Sequence, residues 1–234
     1  MKLDQVRALV TGGSSGIGLE VARYLVEHGG NVAICGRDEK RLADAAAKAG
    51  AMAIQADVSA EADVVRLVAQ ARERLGGLNV LVNNAGFGSF SELTDLEVAD
   101  MDSIWATNVR GAMLVARECA RSFIRDKTRG NIINVASTAG QRGFAGGTAY
   151  VASKFALRGM TECWRAELRK HDIRVMLLNP SEVQTEFFST AGRERKASKR
   201  KLRPIEIAHA VGAMLQMDDR GFITDLTVWA TNPD

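Results

Sequence analysis

Tyr150 and Lys154 stand four residues apart in a segment whose apolar spacing predicts a helix. Residues at this separation share one face of a helix, so the phenol and the ammonium are expected to point the same way. An ammonium beside a phenol stabilises the phenolate and lowers the tyrosine pKa from its reference value of about 10. The pair therefore predicts proton transfer near neutral pH. The alternative is a half-buried tyrosine next to a solvated lysine.

A glycine-rich segment near the N-terminus has the composition of a phosphate-binding loop. Apolar residues 6–11 predict a buried strand and a helical pattern begins near residue 16, with Gly12-Gly13-Ser14-Ser15-Gly16-Ile17-Gly18 at the junction. Glycines let the backbone approach a pyrophosphate closely, and free N–H groups at a helix N-terminus complement its negative charge. This order of strand, loop and helix predicts dinucleotide binding, and an ordinary tight turn is the alternative.

These two features and three further segments resemble the short-chain dehydrogenase/reductase family. The matches stand in the order that the family has and cover almost the whole chain. In chain order they are the cofactor loop T-G-x-x-x-G-x-G (Thr11 to Gly18), the segment N-N-A-G (residues 83–86), the catalytic asparagine (Asn108), a serine thirteen residues before the tyrosine (Ser137), and the Tyr-x-x-x-Lys motif (Tyr150 and Lys154).

The resemblance implies an oxidoreductase with four catalytic residues. Tyr150 would donate a proton to a substrate carbonyl oxygen while a nicotinamide cofactor exchanges hydride with the carbonyl carbon, and the reverse reaction would oxidise an alcohol. Ser137 would hydrogen-bond the same oxygen and stabilise the charge that develops there. Lys154 would lower the pKa of Tyr150 and bind the hydroxyls of the nicotinamide ribose. Asn108 would hold a water that relays protons toward Lys154, and a helix-interrupting amide is its alternative interpretation.

The resemblance also implies which residues contact the dinucleotide. After the sixth strand the family usually has Pro-Gly-x-x-x-Thr, and this chain has Ser181 in place of the glycine. A residue with a Cβ is less free at positive φ, so the backbone conformation there is in question. The implied contacts are Gly12, Ser14, Ser15, Gly16, Ile17, Gly18, Arg37, Asp57, Val58, Asn84, Ala85, Gly86, Tyr150, Lys154, Pro180, Val183 and Thr185.

Arg37 bears on the choice of dinucleotide. A carboxylate at the end of the second strand would bind the diol of the adenosine ribose and repel a 2′-phosphate. This chain has Gly36 there, followed by Arg37, whose guanidinium can pair bidentately with a 2′-phosphate. By the resemblance, NADP is favoured and NAD is the alternative. Asp38 suits a helix N-cap, and Asp57 matches the family position that contacts adenine.

Short apolar runs alternate with amphipathic stretches, which is typical of successive βαβ units around a parallel sheet. Right-handed crossovers between such units predict an α/β fold, a Rossmann-type doubly wound parallel sheet of about seven strands with helices on both faces, in a single domain spanning residues 1–234. The strands are expected at about 6–11, 31–35, 51–56, 78–83, 131–136, 173–179 and 222–229. The helices are expected at about 16–28, 39–49, 60–75, 96–126 with a break near Asn108, 149–170 and 204–217.

Local signals refine this outline. Gly29, Gly30 and Gly50 are expected to end helices, and Ser59 is expected to begin one. The ligand site of a doubly wound sheet lies at the carboxyl ends of its strands. Four polar residues fall at such ends, namely Thr11, Asn83, Ser137 and Asn179.

The composition is that of an ordinary globular protein. The 234 residues carry a net charge of +3, with 46% hydrophobic and 25% charged residues. No apolar run approaches the roughly 20 residues that cross a bilayer, and the N-terminus has no apolar signal core, so a cytoplasmic location without membrane contact is expected. Cys35, Cys119 and Cys163 lack metal-ligand spacing and are expected to be reduced packing residues, so no metal site is predicted.

Residues 186–203 are expected to form a substrate lid. Phe187 and Phe188 would either close over an apolar substrate or pack the lid onto the core. Seven cations and one acid lie between Arg193 and Arg203. No aromatic residue accompanies them for base stacking, so nucleic-acid binding is not expected. A solvated segment and an electrostatic guide for an acyl carrier remain as two interpretations.

The resemblance finally implies an NADP-dependent carbonyl reductase of the 3-oxoacyl type, acting on a small carbonyl or alcohol that is free or carrier-bound. An NAD-dependent alcohol or polyol dehydrogenase is the first alternative. A non-catalytic NADP-sensing protein is the second, although Ser137, Tyr150 and Lys154 are all present. The resemblance also implies a homotetramer, in which the apolar residues 227–230 would be covered by a partner.

Overall fold

A seven-stranded sheet forms the centre of the computed structural model, which describes residues 1–185, 187 and 200–232. The strands lie in the order β3-β2-β1-β4-β5-β6-β7, and each pairs with its neighbours in parallel. This arrangement confirms the predicted Rossmann-type, doubly wound α/β fold. The strands are β1 (Arg7–Thr11), β2 (Asn31–Gly36), β3 (Met52–Gln55), β4 (Val80–Asn83), β5 (Asn131–Val135), β6 (Arg174–Pro180) and β7 (Asp225–Val228).

Helices cover both faces of this sheet. The predicted break near Asn108 is a π-helical segment, Ala106–Gly111, between α4 and α5. In the part of the chain that the structure describes, no helix is both long enough and apolar enough to span a bilayer. The helices are α1 (Gly16–Glu27), α2 (Glu39–Ala49), α3 (Glu61–Arg74), α4 (Val98–Trp105), α5 (Ala112–Arg125), α6 (Thr148–Leu168) and α7 (Pro204–Gln216).

Strand β1 shows why the sheet needs helices on both sides. Successive side chains of a strand point to opposite faces. Ala8 and Val10 pack in one apolar cluster with residues of α1, α2 and α7, whereas Leu9 packs in a second cluster with residues of α3 and α5. All three side chains are fully buried. Strands covered on both faces have continuous apolar sequences, and this is why β1 was predictable.

The ends of α2 follow the predicted chemistry. The carboxylate of Asp38 accepts the N–H of Arg41 at 2.9 Å and caps the helix at its start. Gly50 ends the helix in the left-handed conformation, with a φ of 65°. Gly29, with a φ of 87°, follows the end of α1 in the same way. These positions confirm the predicted start of α2 and the predicted ends of both helices.

The predicted role of Ser59 as a helix start is wrong. Helix α3 begins at Glu61, and its N-cap residue is Ala60. The Ser59 hydroxyl and N–H instead donate to Oδ1 of Asp57, at 2.7 and 2.9 Å. The Ser59 hydroxyl is therefore bonded to the Asp57 carboxylate within the turn before α3, and it does not cap the helix.

Two of the three cysteines are packing residues, as predicted. Cys35 and Cys119 are buried, and burial raises the pKa of Cys35 to about 12, which makes its thiol a poor nucleophile. Cys163 is exposed on α6, so the prediction that it packs in the core is wrong.

The topology places a crevice at the edge of the sheet where the site is expected. Strand β1 lies between β2 and β4, so the order of the strands reverses there and a crevice is expected outside their carboxyl ends. Phe188 and four of the seven cations of the basic run fall outside the described residues, as do most residues of the expected lid. The lid at 186–203 stays a prediction.

Candidate active site

A cavity of about 820 Å³ opens at the carboxyl ends of the strands. It crosses the sheet from the loops after β2 and β3, past the glycine-rich loop after β1, to the loops after β5, β6 and β7. Of the predicted site residues, Gly18 and Asn108 do not line it. The residues that do are Gly12, Ser14, Ser15, Gly16, Ile17, Arg37, Asp57, Val58, Asn84, Ala85, Gly86, Ser137, Tyr150, Lys154, Pro180, Val183 and Thr185.

The glycine-rich loop fits a pyrophosphate. Gly12 and Gly16 have φ values of 64° and 54°, in the left-handed region where a Cβ is disfavoured. The N-cap residue of α1, Ser15, makes no side-chain cap hydrogen bond, and Ser15 lines the cavity together with Gly16 and Ile17. The N–H groups of the first turn of α1 are therefore available beside the cavity, where they favour an anion.

Gly18 serves packing rather than contact with the cavity. A Cβ at this position would collide with the carbonyl of Gly12 and come within 2.6 Å of Nδ2 of Asn84. That Nδ2 donates to the carbonyl oxygens of Thr11 and Gly12, at 3.0 and 3.3 Å. Oγ1 of Thr11 in turn accepts the N–H groups of Asn84 and Ala85, both at 3.0 Å. These bonds hold the loops after β1 and β4 together, and Gly18 lets α1 approach them.

Two guanidinium groups lie at the end of the cavity next to β2. Arg37 is exposed and lines the cavity as predicted. Arg41, in the first turn of α2, lines the same end, and the sequence analysis did not single it out. Its signal was its position, four residues after Arg37 and just past the Asp38 cap. Gly36 fits closely beside them, since a Cβ there would lie 3.3 Å from Oγ of Ser14.

Asp57 is fixed from both sides at the end of β3. Its Oδ1 accepts the N–H and the hydroxyl of Ser59, and its own N–H donates to Oδ2 of Asp63 at 2.9 Å. The side chain lines the cavity beside Val58. A carboxylate oriented in this way offers its remaining acceptor positions in a fixed direction, as a base-recognising group requires.

The catalytic candidates lie at the opposite end of the cavity. Tyr150 and Lys154, on the first turns of α6, are 9% and 5% exposed. Burial raises the pKa of Tyr150 to about 12, and a hydrogen bond from Ser137 opposes the shift. Burial also lowers the pKa of Lys154 to about 8. The phenol is therefore protonated at neutral pH, and the ammonium is close to its titration range.

The predicted lowering of the Tyr150 pKa by Lys154 is absent. Nζ of Lys154 lies 5.7 Å from the centroid of the Tyr150 ring and donates to the carbonyl oxygen of Val135 at 3.0 Å. Burial of the phenol disfavours the phenolate and is the main cause of the raised pKa of Tyr150, and the hydrogen bond from Ser137 opposes it. The tyrosine is set up as a proton donor rather than as a phenolate.

Asn108 is buried next to the cavity and connects the loop after β4 to α6. Its Nδ2 donates to the carbonyl oxygen of Phe87 at 2.8 Å and to Oγ of Ser153 at 3.0 Å, while its Oδ1 accepts the N–H of Phe87 at 3.0 Å. A Cβ on Gly86 would lie 3.0 Å from this Oδ1 and 3.7 Å from Nζ of Lys154. The amide thus ties the loop after β4 to α6. A role for Asn108 in holding a water stays a prediction.

The segment after β6 tolerates serine where the family usually has glycine. The described non-glycine residues with positive φ are Lys127 and Asp172, so Ser181 needs no left-handed conformation. Its N–H donates to the carbonyl oxygen of Val228 at 2.9 Å, and Val183 forms a bridge with Leu202. The backbone at Ser181 therefore does not require the glycine that the family usually has there.

Three phenylalanines form an aromatic wall beside Tyr150, made of Phe90, Phe144 and Phe187. The ring centroids of Phe90 and Phe187 lie 5.7 and 5.3 Å from that of Tyr150, and Phe144 lies 5.9 Å from Phe90. All three line the cavity. Of these three, only Phe187 is a candidate substrate contact from the sequence. The available signal for Phe90 and Phe144 was their position close after Gly86 and between Ser137 and Tyr150.

Comparisons with known proteins agree with this geometry. A model of the short chain dehydrogenase family matches residues 6–196. The sorbitol dehydrogenase of Cereibacter sphaeroides is 32% identical over 241 residues, which cover 100% of this chain and 93% of that protein. The chain therefore belongs to the short-chain dehydrogenase family and is an oxidoreductase of that family.

Solved structures agree over nearly the full length. A 3-ketoacyl-(acyl-carrier-protein) reductase from Brucella melitensis, complexed with NADH, has a TM-score of 0.88 at 31% identity and covers 96% of each chain. An alcohol dehydrogenase from the archaeon Thermococcus sibiricus, complexed with 5-hydroxy-NADP, has a TM-score of 0.85 at 27% identity and covers 97% of this chain and 98% of that one. Members with this fold thus occur with either type of nicotinamide dinucleotide.

Proposed function

We propose that the protein is an NADPH-dependent reductase of small carbonyl compounds with an apolar body. The observation that carries this proposal is the shape of one cavity, which has Arg37 and Arg41 at one end and Ser137, Tyr150 and Lys154 at the other. A dinucleotide is long enough to connect such ends. The glycine-rich loop between them fits its pyrophosphate.

The residues divide the chemistry between them. Bound NADPH would supply the hydride that adds to the carbonyl carbon. Tyr150, with a pKa near 12, keeps its proton at neutral pH and donates it to the carbonyl oxygen as charge develops there. Ser137 hydrogen-bonds the same oxygen, and the bond strengthens in the transition state. Lys154 holds the ribose next to the nicotinamide and supplies positive charge while it is protonated, below a pH of about 8.

The preference for NADPH rests on two side chains. Arg37 and Arg41 line the end of the cavity where an adenosine ribose would lie, and no carboxylate occupies position 36. Guanidinium groups bind a 2′-phosphate through charge-assisted hydrogen bonds. NAD is the alternative, and the Brucella melitensis reductase complexed with NADH supports it.

The aromatic wall favours an apolar carbonyl substrate over a polyol. Phe90, Phe144 and Phe187 offer no hydrogen-bonding groups to the hydroxyls of a sugar alcohol. A polyol would lose hydration there without gaining partners. The sorbitol dehydrogenase at 32% identity supports the alternative of an NAD-dependent alcohol or polyol dehydrogenase. A 3-oxoacyl compound has the apolar chain that the wall fits, and the Brucella melitensis relative supports that substrate class.

A carrier-bound substrate has less support. Nζ of Lys201 pairs with Glu182 at 2.6 Å, and Arg203 pairs with Glu206 at 3.2 Å. Two cations of the basic run are therefore neutralised within the chain, which weakens their attraction for an acidic carrier. The proposal also includes a cytoplasmic location. It further includes a homotetramer, which light scattering would detect.

A substrate screen tests it. NADPH oxidation is followed with aryl ketones, 3-oxoacyl thioesters and aldehydes, and NAD⁺ reduction with sorbitol and secondary alcohols. We expect the highest kcat/KM for apolar ketones with NADPH. Faster turnover of a polyol with NAD⁺ would replace the proposal by its alternative. Binding of NADPH without turnover of any compound would favour a cofactor-sensing protein.

A further inference from the structure

Arg142 and Trp229 form a rim at the substrate end of the cavity, beyond the aromatic wall. The guanidinium of Arg142 lies 5.2 Å from the centroid of the Trp229 indole, and both residues line the cavity. The neighbouring Gln141 donates from Nε2 to Oγ1 of Thr227 at 3.1 Å. Two adjacent contacts therefore fix the segment after β5 to the end of β7. Arg142 is held at the rim by this arrangement although it is exposed.

Stacking on an indole leaves the donors of a guanidinium usable. A cation–π contact uses the face of the planar group, whereas its N–H bonds point outward in the plane. Within the described part of the chain, Arg142 has no ion pair. Among the described residues, the carboxylate that lines this side of the cavity, Glu182, pairs with Lys201 at 2.6 Å. No carboxylate in the described ranges therefore pairs with the positive charge that Arg142 brings to the rim.

The order of groups along the cavity defines a substrate shape. Tyr150 stands at one side of the aromatic wall, and Phe144, two residues after Arg142, stands at the other. We propose that the substrate is an oxo acid, with its carbonyl at Tyr150, an apolar body along the wall and a carboxylate bound in the plane of the Arg142 guanidinium. This inference rests on the proposed carbonyl reductase function and names its substrate class.

The test compares an acid with its neutral ester. The probes are para-acetylphenylpropanoate, which has a carbonyl, a ring and a carboxylate in that order, and its methyl ester. We expect wild-type kcat/KM with NADPH to be about tenfold higher for the acid, as a charge-assisted hydrogen bond would provide. Arg142→Gln should remove that preference, because a neutral amide cannot form the charge-assisted pair with the carboxylate, and the acid should lose more kcat/KM than the ester. Arg142→Lys should restore part of the preference for the acid, because the positive charge is present. The restoration should be incomplete, because an ammonium lacks the planar fork of a guanidinium.

Binding without turnover gives a second readout. The chain has three tryptophans, and Trp229 is the one that lines the cavity. Titration with para-ethylphenylpropanoate, which lacks the carbonyl, should give a saturable fluorescence change in the NADP⁺ complex. The change should disappear in Trp229→Phe, and the affinity should fall about tenfold in Arg142→Gln. Arg220→Gln, an exposed arginine outside the cavity, is the matched control. Light scattering on each variant separates this effect from any change in assembly.

The outcomes separate the two claims. Equal kcat/KM for acid and ester in the wild type, or an acid preference that survives in Arg142→Gln, overturns the oxo-acid inference and leaves the reductase proposal intact. If neither ketone is reduced, the proposed function fails for this substrate class. In that case, binding of para-ethylphenylpropanoate that depends on Arg142 still supports an anion site at the rim. If this compound does not bind, or binds equally well to Arg142→Gln, the anion site is overturned.

Discussion

The two ends of the cavity are built from different materials. At the end near β1, β2 and β3, the glycine-rich loop offers backbone, with glycines at left-handed φ and the open first turn of α1, and Arg37, Arg41 and Asp57 flank it. At the other end, the surface consists of large side chains from four separate segments, Phe90, Phe144, Phe187 and Trp229 with its stacked Arg142. Under the proposed function, the first end would bind a dinucleotide that many oxidoreductases share, and the second would bind a substrate that differs among them.

This difference has a physical cause. A backbone cradle for a pyrophosphate requires particular φ values and small residues at consecutive positions, so substitutions there are strained. A wall of side chains tolerates substitution, because the fold of the strands and helices that carry these side chains does not depend on which residues they are. A substitution at one end should therefore change the affinity for the cofactor or for the substrate, but not both. Variants at the two ends test this independence.

The largest effect is expected at Tyr150, among the catalytic candidates. Tyr150→Phe should lower kcat by about 10³-fold, because the proton donor is lost, and should leave the dissociation constant of NADPH within about threefold. Stopped-flow kinetics and fluorescence titration measure the two quantities. Tyr24→Phe, at the only other tyrosine, is the matched control and should behave as wild type. Retention of a tenth of the activity would remove Tyr150 from its role.

A smaller loss should be confined to the cofactor end. Arg37→Ala should weaken NADPH binding by about 2 kcal/mol and NADH binding far less, since a charge-assisted pair with the 2′-phosphate exists for NADPH alone. Arg41→Ala should act in the same direction, and isothermal titration measures both. Equal losses for the two dinucleotides would show that the arginines do not set the preference.

The burial of Lys154 predicts a dependence of stability on pH. Its pKa is about 8 in the folded protein and about 10.5 when exposed, so between these values the unfolded chain binds more protons and stability rises with pH. From pH 7.5 to 9.5 we expect the wild type to gain about 1 to 2 kcal/mol relative to Lys154→Met. Urea unfolding at both pH values measures this, below the range in which Tyr150 titrates. Parallel pH profiles for the two proteins would contradict the burial of a charged Lys154.

The smallest effect is expected at the aromatic wall. Phe90→Leu keeps an apolar surface but removes the ring contacts with Tyr150 and Phe187, so it should raise KM for an aryl ketone about threefold to fivefold. The affinity for NADPH should be unchanged if the two ends are separable. Steady-state kinetics and titration on one preparation test both statements. A parallel loss of NADPH affinity would break the separation.

The same contrast explains what could be predicted from sequence. The phosphate loop and the Tyr150–Lys154 pair were identifiable because their function requires fixed residues at short spacing. Arg142 and Trp229 lie far apart in the chain and meet because β7 pairs with β6 and brings its end beside the loop after β5. Local spacing carries no record of such a contact. Nor does it record the balance of desolvation and charge that sets the Tyr150 pKa, which depends on the packed environment.

The π-helical segment Ala106–Gly111 sets a register between two helices. An α-helix turns by about 100° per residue, so a residue added to or removed from this stretch, with the π-helical turn kept, would rotate α5 relative to α4 by about that angle. The apolar side of α5, with Leu114 and Phe123, would then leave its place against the sheet, while Asn108 would lose Phe87. Deleting one residue while the segment becomes α-helix would largely keep the direction of α5, because a π-helical turn already holds one residue more than an α-helical turn. The loss should then fall on the active site, through the contact between Asn108 and Phe87. The irregular turn makes the length of this stretch invariable, so insertions and deletions should be tolerated in the exposed loops around it but not within these six residues.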